Sequence, residues 1–188
     1  MLNTNISKLI IQAAFVVALI PNTSFASNHI QVGQPVKVFE TNTFGNVTQE
    51  KLTVHLGENG MLVLARIRKI APIAVPINAN ETEKLKALFA KGEDWATTAK
   101  ENKVNIEKEI GTYEFAEKMK IKFTFVSIKK AKTTFIQMDM TANYRTATFF
   151  VLPKAAKALV ALIERAPEAI GELQTKAEAE KKTDELFN

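Results

Sequence analysis

Lys118-Met119-Lys120-Ile121-Lys122-Phe123-Thr124-Phe125-Val126-Ser127-Ile128 is the stretch that decides the fold. Met119, Ile121, Phe123 and Phe125 alternate with Lys118, Lys120, Lys122 and Thr124. Only an extended strand turns a period of two into one apolar and one polar face. The pattern continues on both sides. Ile106–Phe115 reads as a strand before it, Lys129–Lys132 as a polar turn after it, and Thr133–Thr141 and Arg145–Leu152 as two further strands separated by Asn143. Pro153 then suits the first position of a helix, where no N–H is needed. Leu159, Leu162 and Ile163 follow at helical spacing, with Ile170 beyond Pro167. Gln174 to Lys182 is charged and Ala-rich, which predicts a frayed helix or a disordered end.

The preceding half reads the same way. Val36–Glu40 alternates weakly. Lys51–Leu56 sets Leu52, Val54 and Leu56 against Lys51, Thr53 and His55. Gly57-Glu58-Asn59-Gly60 carries an Asn-Gly pair, whose tolerance of positive φ favours a tight hairpin. In the return strand Met61, Val63, Ala65 and Ile67 are apolar, with Arg66 and Arg68 opposite. Ala71–Ile77 contains Pro72 and Pro76, as an edge strand would. Asn80 and Glu83 fit a capping box before Leu85, Leu88 and Phe89. A single offset of 74 superposes the two halves without a gap: Met61-Leu62 falls on Phe135-Ile136, and Lys84–Phe89 on Ala158–Ile163.

These elements predict an α+β fold of two ββββα pseudo-repeats, residues 27–103 and 104–173, each an antiparallel sheet backed by one helix, with a tail over 174–188. Phe135-Ile136-Gln137-Met138-Asp139-Met140, then Thr148-Phe149-Phe150-Val151-Leu152-Pro153 running into Leu159 and Leu162-Ile163, resembles a repeat of the PUR-domain family. The related Whirly-like folds share the ββββα order. The resemblance implies two intertwined repeats whose exposed sheet face binds single-stranded nucleic acid through basic and aromatic residues.

Residues 1–26 read as a secretory signal peptide. Lys8 precedes a 12-residue apolar run from Leu9 to Ile20, Pro21 follows, and Ser24-Phe25-Ala26 offers small residues at −3 and −1 of a cut before Ser27. Twelve residues are too few for a span of about 20, so no stable membrane span is expected. Cleavage would leave 162 residues at +4, since Lys8 goes with the leader. A periplasmic or secreted destination follows. The absence of cysteine removes disulfides, thiol nucleophiles and Cys-ligated zinc.

No catalytic residue, metal site or cofactor is expected, for Gly-x-Ser-x-Gly, His-Glu-x-x-His and P-loop patterns are absent. His55 and His29 are the only histidines; His55 has no Asp or Ser beside it in the pattern that would make it a base, and His29 lies close to the expected mature N-terminus. Asp139 shares a polar strand face with Gln137, and a cross-strand ion pair with a lysine explains it. Trp95 is read as packing the first helix against the second repeat. Strand parity places Arg66, Arg68, Lys118, Lys120 and Lys122 on open sheet faces with Phe135 or Tyr144, a basic surface for an anionic ligand. The expected function is an exported, non-enzymatic binding or accessory protein whose partner is a protein or an anionic ligand. The alternatives are a PUR-like single-stranded nucleic-acid binder, which the export signal disfavours, and a small hydrolase without a recognised motif. A homodimer is compatible with either binding reading.

Overall fold

The alternating stretches form nine strands in a computed structural model that describes residues 29–42, 44–57, 60–68 and 71–187. The short β1 (His29–Gln31) precedes β2 (Val36–Thr41), β3 (Val47–Gly57), β4 (Leu62–Arg66), β5 (Ile73–Ile77) and helix α1 (Thr82–Asn102). The same order recurs as β6 (Ile106–Ala116), β7 (Met119–Ile128), β8 (Thr133–Ala142), β9 (Arg145–Val151) and α2 (Pro153–Phe187). The expected signal peptide lies outside the described residues, as do Glu58 and Asn59 of the expected hairpin turn. That turn is closed by the Gly57 N–H, which donates to the Met61 carbonyl at 2.9 Å.

The strands join into one sheet in the order β5-β4-β3-β2-β9-β8-β7-β6, with β1 on β3. All the pairings are antiparallel. The two series meet where β2 pairs with β9, Phe39 opposite Phe150 and Thr41 opposite Thr148. The α+β class holds. The expectation that each four-stranded sheet is backed by its own helix is corrected, because the helices cross over. α1 packs on β6, β7 and β8, while α2 packs on β2 and β3 as well as β8. Phe89 meets Phe123 edge-on at 5.3 Å, and Trp95 meets Phe125 at 6.1 Å, so Trp95 does join the first helix to the second series.

The crossing follows from the curl of the sheet. β5 folds back over β6 to β9, and the chain leaving it at Asn78 donates its N–H to the Tyr113 hydroxyl of β6 at 3.1 Å. One 3-10 turn, Ala79–Glu81, then delivers α1 onto the second series. The expected capping box does not form: Asn80 sits within that turn, and the helix begins at Thr82 without a side-chain cap. The tail, expected as a frayed helix or a disordered end, continues α2 to Phe187. Leu52, Leu56, Leu62, Leu64 and Ile77 from one series, and Ile121, Phe123, Phe125 and Phe149 from the other, fill the core between sheet and helices. Each such side chain contributes about 1.5–3 kcal/mol.

Parity in β4 is the second correction. Leu62, Leu64 and Arg66 point to the main core, whereas Val63 and Ala65 join Ala74 in a smaller cluster on the other face. β4 and β5 are buried throughout. A strand covered on both faces carries no polar alternation to read, so the odd-numbered apolar residues did not mark the core side. Thr53 and His55, expected on an open face, are buried for the same reason.

Candidate functional site

The sheet is open to solvent over β6, β7, β8, β9 and β2. Residues of one parity there face the helices: Ile121, Phe123, Met138, Met140, Phe149 and Val38 are buried. The other parity lies on the opposite face in cross-strand rows, with Thr124 and Val126 of β7 buried at its margin. Gln49, Phe39, Phe150, Gln137 and Thr124 form one row across β3, β2, β9, β8 and β7. Thr41, Thr148, Asp139, Lys122 and Thr112 form the next. Phe135 stands one pleat further along β8 and meets Phe150 edge-to-face at 5.2 Å and 65°. Three phenylalanines thus make a continuous apolar centre on the open face, with Phe39 39% exposed.

Lysines border this centre on two sides. Lys37 of β2 lies directly opposite Lys51 of β3, a like-charge pairing that costs stability in a sheet. Both are exposed, and neither makes an ion pair among the described residues. On the far side are Lys120 and Lys122. Lys122 donates to Glu109 at 3.0 Å, and that bond, with the charge of the carboxylate, raises its pKa. Lys120 lies opposite Glu114 in register. Asp139 faces Lys122 across the strands but accepts instead from Thr148 Oγ1 at 2.7 Å and Gln137 Nε2 at 3.1 Å. A fixed carboxylate holding the Gln137 amide in one orientation presents a defined polar edge beside Phe150.

The residues expected to form the site separate into three groups. Lys120, Lys122 and Phe135 share the open face. Lys118 and Tyr144 stand together in the turns at one end of the sheet, the ammonium 4.4 Å from the ring centroid and its pKa raised by its hydrogen bond to Tyr144. Asn143 ties these turns by donating to the Lys118 carbonyl at 3.0 Å. Arg66 and Arg68 are not on the open face. Arg66 is buried with Glu40 at 2.5 Å and lies 6.0 Å from the Phe149 ring. Arg68 is held by Glu50, whose bond raises its pKa, and lies 3.1 Å from Glu40. Phe39, Phe150 and Lys37 are the residues that strand reading missed, and Lys51, read on a polar strand face, was not placed in the site. The doublet Phe149-Phe150 was the available signal, since one of two adjacent residues in a strand must face away from the core.

His29 and His55 come together at the other end of the sheet, on β1 and β3, diagonal to one another in the register. Burial, and then the neighbouring His29, lower the pKa of His55. Among the described residues no three His, Asp or Glu side chains are grouped to hold a metal ion, and no helix is long and apolar enough to cross a membrane. A cavity lined by Gly92, Ala96, Phe125, Ile136, Val151 and Ala156 has a volume of about 10 Å³, room for about one water.

No protein-family model matches the chain, and no curated protein matches it. Among solved structures, WHY3 from Arabidopsis thaliana is 10% identical over 84% of this chain and 92% of its own, with a TM-score of 0.32. WHY1 from Arabidopsis thaliana is 10% identical over 82% of this chain and 90% of its own, with a TM-score of 0.31.

Proposed function

We propose that this protein is a non-enzymatic binding protein that takes single-stranded nucleic acid across its open sheet face. The observation that carries the reading is the Phe39–Phe150–Phe135 centre beside the uncompensated Lys37–Lys51 pair. Stacking on an aromatic ring tolerates any base and is worth about 1–3 kcal/mol per base, and lysines alongside grip the backbone. Two ammonium groups held opposite one another repel until an anion lies between them, so a phosphate there relieves a cost the folded chain already bears.

The test is anisotropy of a labelled single-stranded oligonucleotide at two salt concentrations. Lys37, Lys51 and Lys120 make no ion pair among the described residues, so about three phosphates are neutralised. A slope near −0.7 per phosphate then gives a loss of roughly twentyfold between 50 and 200 mM salt. Phe150→Ala lowers affinity about tenfold, and Lys37→Glu with Lys51→Glu removes most of it. No binding at the lower salt, or unchanged binding by the lysine variant, overturns the proposal.

A second reading has its own support. Glu107, Glu109 and Glu114 of β6 with Asp139 balance the four lysines of the face, as suits a protein partner better than a polyanion. This reading includes removal of residues 1–26 on export. An intact Met1 in the mature protein, measured by mass, counts against export.

A further inference from the structure

We propose that one end of the molecule, built from the α1–β6 and β7–β8 connections, docks on an anionic lipid bilayer surface. The two connections are stitched side by side: Ser127 Oγ donates to the Val104 carbonyl at 2.8 Å, and the Lys130 N–H donates to Asn105 Oδ1 at 2.7 Å. With the last turn of α1 they carry Lys100, Lys103, Lys129, Lys130 and Lys132, all exposed and none in an ion pair among the described residues. Glu101 and Glu107 are the acids alongside, so the end carries a net charge of +3. It also exposes Val104 at 42%, Ile106 at 38% and Ile128 at 40%.

The loop geometry holds this chemistry outward. Lys129, Lys130 and Ala131 take φ of 54°, 55° and 60° in succession, and Lys103 takes 52°. L-residues disfavour that region, yet buried Ala131 pins the loop in it. Lysine ammonium groups attract anionic headgroups, while aliphatic side chains enter the boundary below them. The aliphatics are Val and Ile, with no aromatic ring among them, so the end lacks the stacking surface of the open face and fits a bilayer rather than a nucleic-acid strand. This inference is independent of the function proposed above.

The test is co-sedimentation of the full chain with vesicles of phosphatidylcholine containing 30% phosphatidylglycerol and with phosphatidylcholine alone. Any contribution of the N-terminal segment is common to all variants. Lys129→Gln, Lys130→Gln and Lys132→Gln together lower partitioning onto the anionic vesicles about a hundredfold, at roughly fivefold per lysine. Ile128→Asp lowers it while leaving the salt dependence in place. Lys100→Gln with Lys103→Gln, placed on a helix end rather than the loop, serves if the triple variant does not fold. Equal binding to both vesicle types, or unchanged binding by the folded lysine variants, overturns the proposal. Loss of oligonucleotide binding by the triple variant without any vesicle binding overturns it too, and makes this end part of the nucleic-acid path.

Discussion

Replacing Arg66 with methionine leaves Glu40 charged and buried without its 2.5 Å partner. Removing one member of a buried ion pair costs about 3–5 kcal/mol. The neighbouring Arg68, 3.1 Å from Glu40 Oε2, softens the loss and sets the expectation near 3 kcal/mol. The Ala71 carbonyl also loses its guanidinium donor, at 2.5 Å, which adds about 1 kcal/mol. The pair is imperfect: Arg66 Nε is buried without a hydrogen-bond partner among the described residues, and Glu40 Oε2 has the Arg68 charge nearby but no hydrogen bond of good geometry. A network only partly satisfied is readily replaced by apolar groups. Arg66→Met combined with Glu40→Leu is therefore expected to return to within about 1 kcal/mol of the parent. Urea unfolding followed by far-UV circular dichroism measures Arg66→Met, Glu40→Leu and the double variant, and the Arg66→Met midpoint falls by about 2 M for a slope near 2 kcal/mol per M. A single variant that loses under 1 kcal/mol, or a double variant as unstable as the sum of the singles, refutes the coupling.

Other consequences follow from packing and protonation. Alanine normally stabilises a helix interior relative to glycine by up to about 1 kcal/mol. At Gly92 its Cβ would meet Ile136 Cδ1 at 2.6 Å and Cγ1 at 2.9 Å, so Gly92→Ala is expected to destabilise by about 1–3 kcal/mol. A rise in melting temperature would contradict this. His55 has its pKa lowered from 6.5 by burial and by His29. Below 6.5 the unfolded chain binds a proton that the folded chain resists, so this stability is present at neutral pH and is lost as pH falls. The urea midpoint should drop between pH 7.5 and 5.5, and His55→Gln should flatten the drop; an unchanged slope counts against it.

The second half of the fold was legible because β8 and the first half of β7 are buried on one face only, and their alternation marks which. Phe123 and Phe125 face the core, and Lys120 and Lys122 do not. In the first half β4 and β5 are buried on both faces, so Arg66 was assigned to solvent when it faces the core. No local pattern records a partner 26 residues away such as Glu40. The helix exchange was hidden for a related reason, since it depends on how far the sheet curls. The open face was half legible. Lys120, Lys122 and Phe135 were found from parity, but Phe39 reaches Phe150 only through the β2–β9 junction, which pairs strands far apart in sequence. Acidic β6 was read as a strand without its register, so the pairing of Glu109 with Lys122 did not temper the basic surface.

Assigned amide spectra, recorded while a single-stranded oligonucleotide is added at low salt, test the central claim most directly. Perturbations are expected on Lys37–Thr41 of β2, Gln137–Asp139 of β8 and Thr148–Phe150 of β9, with α1 and α2 silent. Spectra that do not change, or changes confined to the helices, would contradict the open sheet face as the binding surface.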